Sequence, residues 1–441
     1  MDKNQESTSK MSAVTFDERA YLAEVYRHYG WNFAVNMLDV IFYFFGIGFI
    51  SVTTILPLYV GRLTDSRLLI GLVAAIAQAG WFLPQLFTAN YVERLPRKKP
   101  VVINIGFFSE RIPFILMTGS AFFFAGRNPP LALVLFFLGF VWQNFGAGIV
   151  ATSWQDMLAK VFPVDRRGRF FGLSTFAGTG MGVLGATLAT VILDRFDFPN
   201  NYALCFLLAS VGIFLSWAFL ALTREPAMPS NKEPISQREY WRRLPSVLRA
   251  DPNFSRFILN RIISGLGRMG VGFVTVYAVG RWDLPDSQAG LYTAVLLISQ
   301  SLLNLVFGFL ADWRGHKVVL ELGAVAAALA MLTGWLAPSP IWLYLAFGCM
   351  GAAFAAEFLS GIMIVLEFAG PDDRPTYVGL VNTTLGIFSG ISPLIGGWLA
   401  GSAGYPTLFA SAFALTAVAF VILRWRVEEP RWTSMAAERR R

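Results

Sequence analysis

The stretch Gly308-Phe309-Leu310-Ala311-Asp312-Trp313-Arg314-Gly315-His316-Lys317 has an earlier counterpart in the chain, Ala89-Asn90-Tyr91-Val92-Glu93-Arg94-Leu95-Pro96-Arg97-Lys98. A small residue, an acid and a closing basic pair recur in register at an offset of 219 (308 − 89, 317 − 98). The same offset relates Val279-Gly280-Arg281 to Val60-Gly61-Arg62, and Gly290-Leu291 to Gly71-Leu72 (279 − 60, 290 − 71). A repeat covering half a chain marks two homologous halves. A second shared stretch runs from Asp372 to Leu380 (DDRPTYVGL) and echoes Asp165 to Leu173 (DRRGRFFGL) at an offset of 207 (372 − 165). The first half has therefore gained 12 residues (219 − 207), expected in the hairpin around Ala125–Pro130.

Composition places both halves in a membrane. The 441 residues are 55% hydrophobic and only 15% charged, with a mean hydropathy of +0.54. Soluble domains carry about 25% charged residues. Apolar runs near 34–60, 67–90, 100–125, 130–153, 170–193, 201–223, 255–280, 287–311, 317–337, 340–366, 377–400 and 405–425 predict twelve spans. Each approaches the roughly 20 residues that cross a bilayer as helix. The alternating pattern of a membrane barrel is absent, so the fold class is an all-α integral membrane protein with two six-helix halves. The chain divides into an N-terminal segment (1–33), a first bundle (34–223), a linker (224–254), a second bundle (255–425) and a tail (426–441).

Basic residues set the orientation. Segments on the side of the termini carry 27 Lys and Arg, and those on the opposite side carry five: Arg62, Arg67, Arg127, Arg195 and Arg281. By the positive-inside rule both termini are expected in the cytoplasm of an inner (plasma) membrane protein. The net charge of +8 is then topology and contact with membrane lipids, with no nucleic-acid partner. The first 31 residues lack an apolar core and are not expected to be a removable signal. Glu18–His28 reads equally as an interfacial helix or as a solvated tail. In the linker, Gln237–Leu248 mixes aromatic and basic residues and is a weak candidate for a surface helix interrupted by Pro245. Cys205 and Cys349 lie in apolar runs and predict no disulfide, and neither a metal site nor a cofactor is expected.

The decapeptide from Gly308 to Lys317 resembles the G-x-x-x-D-R-x-G-R-K loop of the major facilitator superfamily, and its earlier copy departs from it at Ala89, Glu93 and Pro96. The resemblance extends over twelve spans, two halves and a central linker. It implies a secondary active transporter whose site lies between the repeats. It also implies that Glu93, Arg94, Arg97, Asp312 and Arg314 form a cytoplasmic gate, with Asp156 at the end of the fourth span. An acid there faces the positive end of a helix, and Gly308 would permit close helix approach. The drug-antiporter pattern is broken, because Trp142 stands four residues before Gly146-Ala147-Gly148 where an arginine is usual. The glycine runs Gly178–Gly185 and Gly390–Gly397 read as packing faces.

Six charged residues fall inside predicted spans: Asp39, Glu110, Arg111, Arg261, Arg268 and Glu357. Each costs at least about 2.5 kcal/mol at the bilayer centre, so none should face lipid. Asn32, Asn36, Asp39 and Tyr43 share one face of the first span. Arg261 and Arg268, spaced by two turns, share a face with Gly265 and Gly272. Two readings stay open for them: a clamp on an anionic solute, or ion pairs with Glu357 and Asp39 that join the halves. Adjacent Glu110 and Arg111 diverge by about 100°, so each is expected to find a partner on another helix. A carboxylate beside a movable cation is a candidate proton carrier. Gln143, Asn144, Gln300, Asn304, Asn382 and Trp142 are candidates for lining a cavity.

These features predict a monomeric carrier of a small organic solute, amphipathic or anionic, coupled to protons and working by alternating access. The alternatives are a lipid or drug exporter of the same fold, with a lipid-like substrate, and a non-transporting membrane receptor or assembly factor. No nucleophile and base pair or phosphate loop points to an enzyme.

Overall fold

Twenty apolar residues in hydrocarbon have no water to satisfy their amides, so each run closes its hydrogen bonds on itself as helix. A computed structural model describes residues 18–85, 87, 88, 92, 95–228, 248–368 and 374–430. Span 1 is α1 (Glu18–Gly48) followed by α2 (Ile55–Leu63), and span 2 is α3 (Arg67–Phe82). Span 3 begins with π-helical turns at Val101–Ile105 and Phe107–Arg111 and continues as α4 (Ile112–Phe124). Spans 4, 5 and 6 are α5 (Pro129–Val161), α6 (Val164–Arg195) and α7 (Asn200–Leu220). Span 7 is α8 (Pro252–Gly267), a 3-10 segment (Arg268–Phe273) and α9 (Val274–Trp282). Spans 8 to 12 are α10 (Ser287–Arg314), α11 (His316–Leu336), α12 (Trp342–Phe368), α13 (Arg374–Ser402) and α14 (Gly404–Arg426). Among the described residues, eleven of the twelve spans are long and apolar enough to cross a membrane, and in span 2 the helix Arg67–Phe82 has 16 residues.

Helix starts follow local chemistry. Asn128 accepts from the Leu131 amide at 3.2 Å and precedes Pro129 and Pro130. Asp251 accepts from Phe254 at 2.9 Å and precedes Pro252. Both pair a capping side chain with proline in the first turn, where a missing N–H costs nothing. Gly315 holds φ +90° between spans 8 and 9, a conformation that penalises any side chain.

Three expectations change. Glu18–His28 is helical and continuous with span 1, so it is not a separate segment before that span. The 12 extra residues of the first half are helical. Span 3 ends seven residues beyond the equivalent of Leu336 (336 − 219 = 117), and span 4 starts six before that of Trp342 (342 − 207 = 135), with a connection one residue shorter. Span 7 is not one helix but breaks at Gly267, where three glycines in six residues (Gly267, Gly270, Gly272) weaken α-helix.

The two halves pack by one rule. Span 1 lies against spans 5 and 6, span 3 against 4 and 6, and span 2 against 4; adding six to each number gives the packing of the second half. The halves meet through spans 2 and 11 and through spans 5 and 8. Small residues make this approach possible: a Cβ on Gly71 would collide with the Pro393 carbonyl, and one on Gly290 with Thr190. Gly397 approaches the Arg67 carbonyl in the same way, so the second glycine run is a packing face, as is Gly185 against Phe45.

One end of this interface is closed and the other open. At the end remote from the linker, one apolar core holds residues of both halves, Tyr59, Tyr202 and Phe206 with Phe273, Tyr292 and Phe347. At the linker end the cores separate, with Val150, Met157 and Phe170 in the first half and Phe257, Ile364 and Val381 in the second. Leu305, Phe309 and Trp313 of span 8 and Phe171 and Phe176 of span 5 are exposed there, Trp313 to 71%. Gly308 correspondingly meets nothing among the described residues, so the close approach expected of it is absent in this state.

Candidate functional site

Span 10 carries Glu357 into the second half, where the broken span 7 aims two guanidiniums at it. Arg261 Nη1 donates to Glu357 Oε2 at 2.9 Å, and Nη2 to Oε1. Arg268 Nη2 lies 2.8 Å from Oε2. Arg261 is buried, while the Arg268 and Glu357 side chains are 28% and 25% exposed. The triad borders a cavity between spans 7, 9, 10 and 12 whose walls include the small residues Gly323, Ala327 and Ala353. Arg261 Nε is buried with no partner among the described residues.

The first half has its own cluster. Ser216 of span 6 donates to Asp39 Oδ1 at 2.5 Å, and Asp39 lies within electrostatic reach of Arg111 and Glu110. Glu110 and Arg111 pair with each other, correcting the expectation of separate partners. The reason is the π-helical backbone at Phe107–Arg111. Its wider turn reduces the divergence of neighbouring side chains below that of an α-helix. No charged pair joins Asp39 to Arg261 or Arg268 among the described residues, so the pairs made by these six charges stay within each half.

If all six groups are ionised, Asp39, Glu110 and Arg111 sum to −1, and Arg261, Arg268 and Glu357 sum to +1. The two halves therefore present opposite unbalanced charges. Either surplus is expensive inside a membrane unless a proton or a counterion meets it.

The other candidates separate. Tyr43, Gln143 and Asn144 come together on a second cavity, otherwise apolar, between spans 1, 3, 4 and 6. Trp142 does not join them and lies on an exposed stripe with Leu138, Phe145 and Ile149. Asn36 lines neither of these cavities: it bonds the Asn32 carbonyl at 2.8 Å and accepts from Thr223 at 3.3 Å. Asn32 in turn closes on both backbone groups of Arg224, so this pair fastens the end of span 6 to span 1. Asn304, Gln300 and Asn382 are half-buried, and both amide atoms of Asn304 are inaccessible and unpartnered among the described residues.

At the linker end, Glu93 and Arg94 lie outside the described residues, and so does Gln237–Pro245. Asp156 lies 3.4 Å from Lys98 and 3.9 Å from Lys160, a network inside the first half. Arg97 turns toward a recess with His28 and Arg224. Asp312 and Arg314 are exposed, and Arg314 stacks over Trp313 at 4.3 Å.

A sequence profile of the Major Facilitator Superfamily matches residues 110–279 and 257–441. The chain belongs to the major facilitator superfamily. An uncharacterized MFS-type transporter of Methanocaldococcus jannaschii is 25% identical over 352 residues, 78% of this chain and 83% of the relative. The xylose transporter XylE from E. coli in a partially occluded inward-open conformation superposes with a TM-score of 0.65 at 16% identity. The match covers 91% of this chain and 98% of that one. A D-xylose–proton symporter gives 0.66 at 17% identity, with 91% and 99% covered. As a member of this superfamily the protein is an integral membrane transporter and not an enzyme, built of two six-helix halves as its repeat predicts.

Two sets of residues escaped the sequence. The remote end of this transporter is locked by Asp286, which accepts from Arg62 across the halves at 2.6, 3.1 and 3.2 Å and from Tyr202 at 2.9 Å. The hydroxyls of Thr54 and Thr293 also bond across the halves. Asp286 carried a readable signal, since its repeat equivalent is Arg67 (286 − 219) and the charge inverts. The second set is Glu225 and Glu429, which follow spans 6 and 12. Glu225 accepts from the amides of Lys98 and Lys99 at 2.8 and 2.7 Å, and Glu429 from that of Lys317 at 2.9 Å. Each acid sits at the start of span 3 or span 9, where helix polarity favours a negative charge. Glu225-Pro226 and Glu429-Pro430 were the legible sign.

Proposed function

We propose that this protein is a proton-coupled carrier of a small organic anion, working by alternating access as a monomer in the inner membrane with its linker end in the cytoplasm. The observation that carries the reading is the sharing of one carboxylate, Glu357, by two guanidiniums, Arg261 and Arg268. One positive charge remains unbalanced at a partly exposed residue inside the membrane. A carboxylate or phosphate of the solute supplies that counterion through paired hydrogen bonds to Arg268. Arg261, buried and bidentate, keeps Glu357 in place.

The first-half cluster supplies the coupling. Its surplus negative charge, spread over Asp39, Glu110 and Arg111, is discharged by one proton. A cycle in which anion and proton move together carries no net charge through either half. The separated cores at the linker end and the Asp286 lock at the other support an inward-facing state as the one described. Breaking that lock while spans 5 and 8 close at the linker end turns the site outward. The linker-end candidates Glu93, Arg94, Arg97, Asp312 and Arg314 belong to that second closure.

Reconstitution into vesicles with an imposed pH gradient tests this. Gradient-driven uptake is expected for an organic anion and not for its neutral amide. Arg268→Gln should abolish uptake of the anion. Glu110→Gln or Asp39→Asn should retain anion exchange without a gradient and lose the response to one. Equal transport of anion and amide, or an unchanged response in both acid variants, defeats the assignment.

A further inference from the structure

Outside the membrane interior, span 1, the start of span 3 and the end of span 6 enclose a recess of which the transport reading uses only Arg97. His28, Arg97, Lys99 and Arg224 line it together with Glu24 and Glu225. Glu225 is already engaged by the amides of Lys98 and Lys99, with Lys160 at 3.8 Å. What remains is Arg97, Lys99 and Arg224 against Glu24, a surplus of two positive charges beside a histidine. Among the described residues neither the Arg97 guanidinium nor the Lys99 ammonium has a hydrogen bond or ion pair. Burial pushes the Lys99 ammonium below the usual lysine range, Glu225 opposes the shift and Arg97 adds to it. These are cations gathered and partly dried without an anion of their own.

The depth of the recess is marked independently. The Arg224 guanidinium lies 5.0 Å above the ring of Trp31 and 3.4 Å from His28 Nδ1. Trp31 is 45% exposed and donates its Nε1 to the Leu222 carbonyl at 2.9 Å. An exposed tryptophan at the end of a span, hydrogen-bonded to backbone, sits at the boundary between hydrocarbon and headgroups. His28 is three residues earlier, about 4.5 Å further toward water at 1.5 Å per residue. That is the level of lipid phosphates.

We propose that this recess binds the phosphate of an anionic membrane lipid, with Arg97, Lys99 and Arg224 as its cationic contacts and His28 as a further donor. The bound headgroup ties the helical start of span 1 to the first residues of the linker between the halves. Free phosphate offers the same chemistry, and only the experiment separates the two sources.

The full chain in neutral detergent is titrated with phosphatidylglycerol, with phosphatidylcholine and with inorganic phosphate, following thermal stability and native mass spectra. Phosphatidylglycerol is expected to bind and stabilise, and phosphatidylcholine is not. The variant Arg97→Gln/Lys99→Gln should lose about tenfold or more in affinity for phosphatidylglycerol, since each basic group near a surface contributes about 1 kcal/mol. Arg169→Gln/Arg256→Gln removes the same charge from exposed arginines elsewhere on this end and should lose far less. On the unmodified chain, phosphatidylglycerol should slow amine labelling of Lys99, a readout that does not depend on how the variants fold. Equal loss in both double variants, or no protection of Lys99, overturns the site. Full stabilisation by millimolar inorganic phosphate overturns the lipid as its occupant.

Discussion

Two guanidiniums converge on the carboxylate of Glu357 in the second half, and Asp39, held by one short bond from Ser216, is its counterpart in the first. Removing a hydrogen-bond donor from a buried acceptor costs about 1–3 kcal/mol. Ser216→Ala should therefore lower stability by that amount, measured by thermal unfolding in detergent, while Ser402→Ala, whose exposed hydroxyl bonds its own helix at the Trp398 carbonyl, should cost less. A double-mutant cycle on Arg261→Met and Glu357→Met should return a coupling above about 1 kcal/mol, because either single change strands the other charge. That these six residues were buried and costly was legible from their place in apolar runs. Their partners were not. Glu110 and Arg111 pair because span 3 opens into π-helix there, a backbone choice that no residue pattern announces.

At the scale of elements, the contacts between halves rest on glycine. Gly71 faces Pro393 and Gly290 faces Thr190 with no room for a side chain. Gly290→Val should force spans 5 and 8 apart at the remote end and raise the accessibility there of a cysteine placed at Ser287, read by labelling rate in native membranes. Gly308→Ala, whose added carbon meets nothing in this state, should leave that rate unchanged. The runs of apolar residues made twelve spans legible, and the decapeptide copies paired them. Less was written about helix interiors. Glycines at Gly267, Gly270 and Gly272 permit a break in span 7, but only packing against spans 11 and 12 turns that permission into a 3-10 segment. Likewise the 12 extra residues were countable, and their helical form was decided by the partner helix each could lie against.

For the whole molecule, the balance between states is set at the two ends. The remote end holds the Arg62–Asp286 pair, and with Arg62 half exposed the pair contributes about 1 kcal/mol. Asp286→Asn should thus shift the population away from the state closed at this end by about fivefold. Paired spin labels at the linker end, on spans 5 and 8, should report shorter distances in that variant. Unchanged distances would assign the closure to the apolar core around Tyr59, Tyr202 and Tyr292 instead.

The sequence by itself determined the membrane, the two halves and the family. These follow from composition and from a repeat at a fixed offset, properties that survive without coordinates because hydrocarbon leaves a helix no alternative. The tertiary structure alone decided which charges meet, which end is shut, and that Glu225 and Glu429 crown matching helices in the two halves. Those outcomes depend on angles between spans and on carboxylates far along the chain from their partners, as Glu225 is 127 residues from Lys98 and Glu429 112 from Lys317. A one-dimensional pattern fixes which groups must be buried, and only packing fixes what they are buried against.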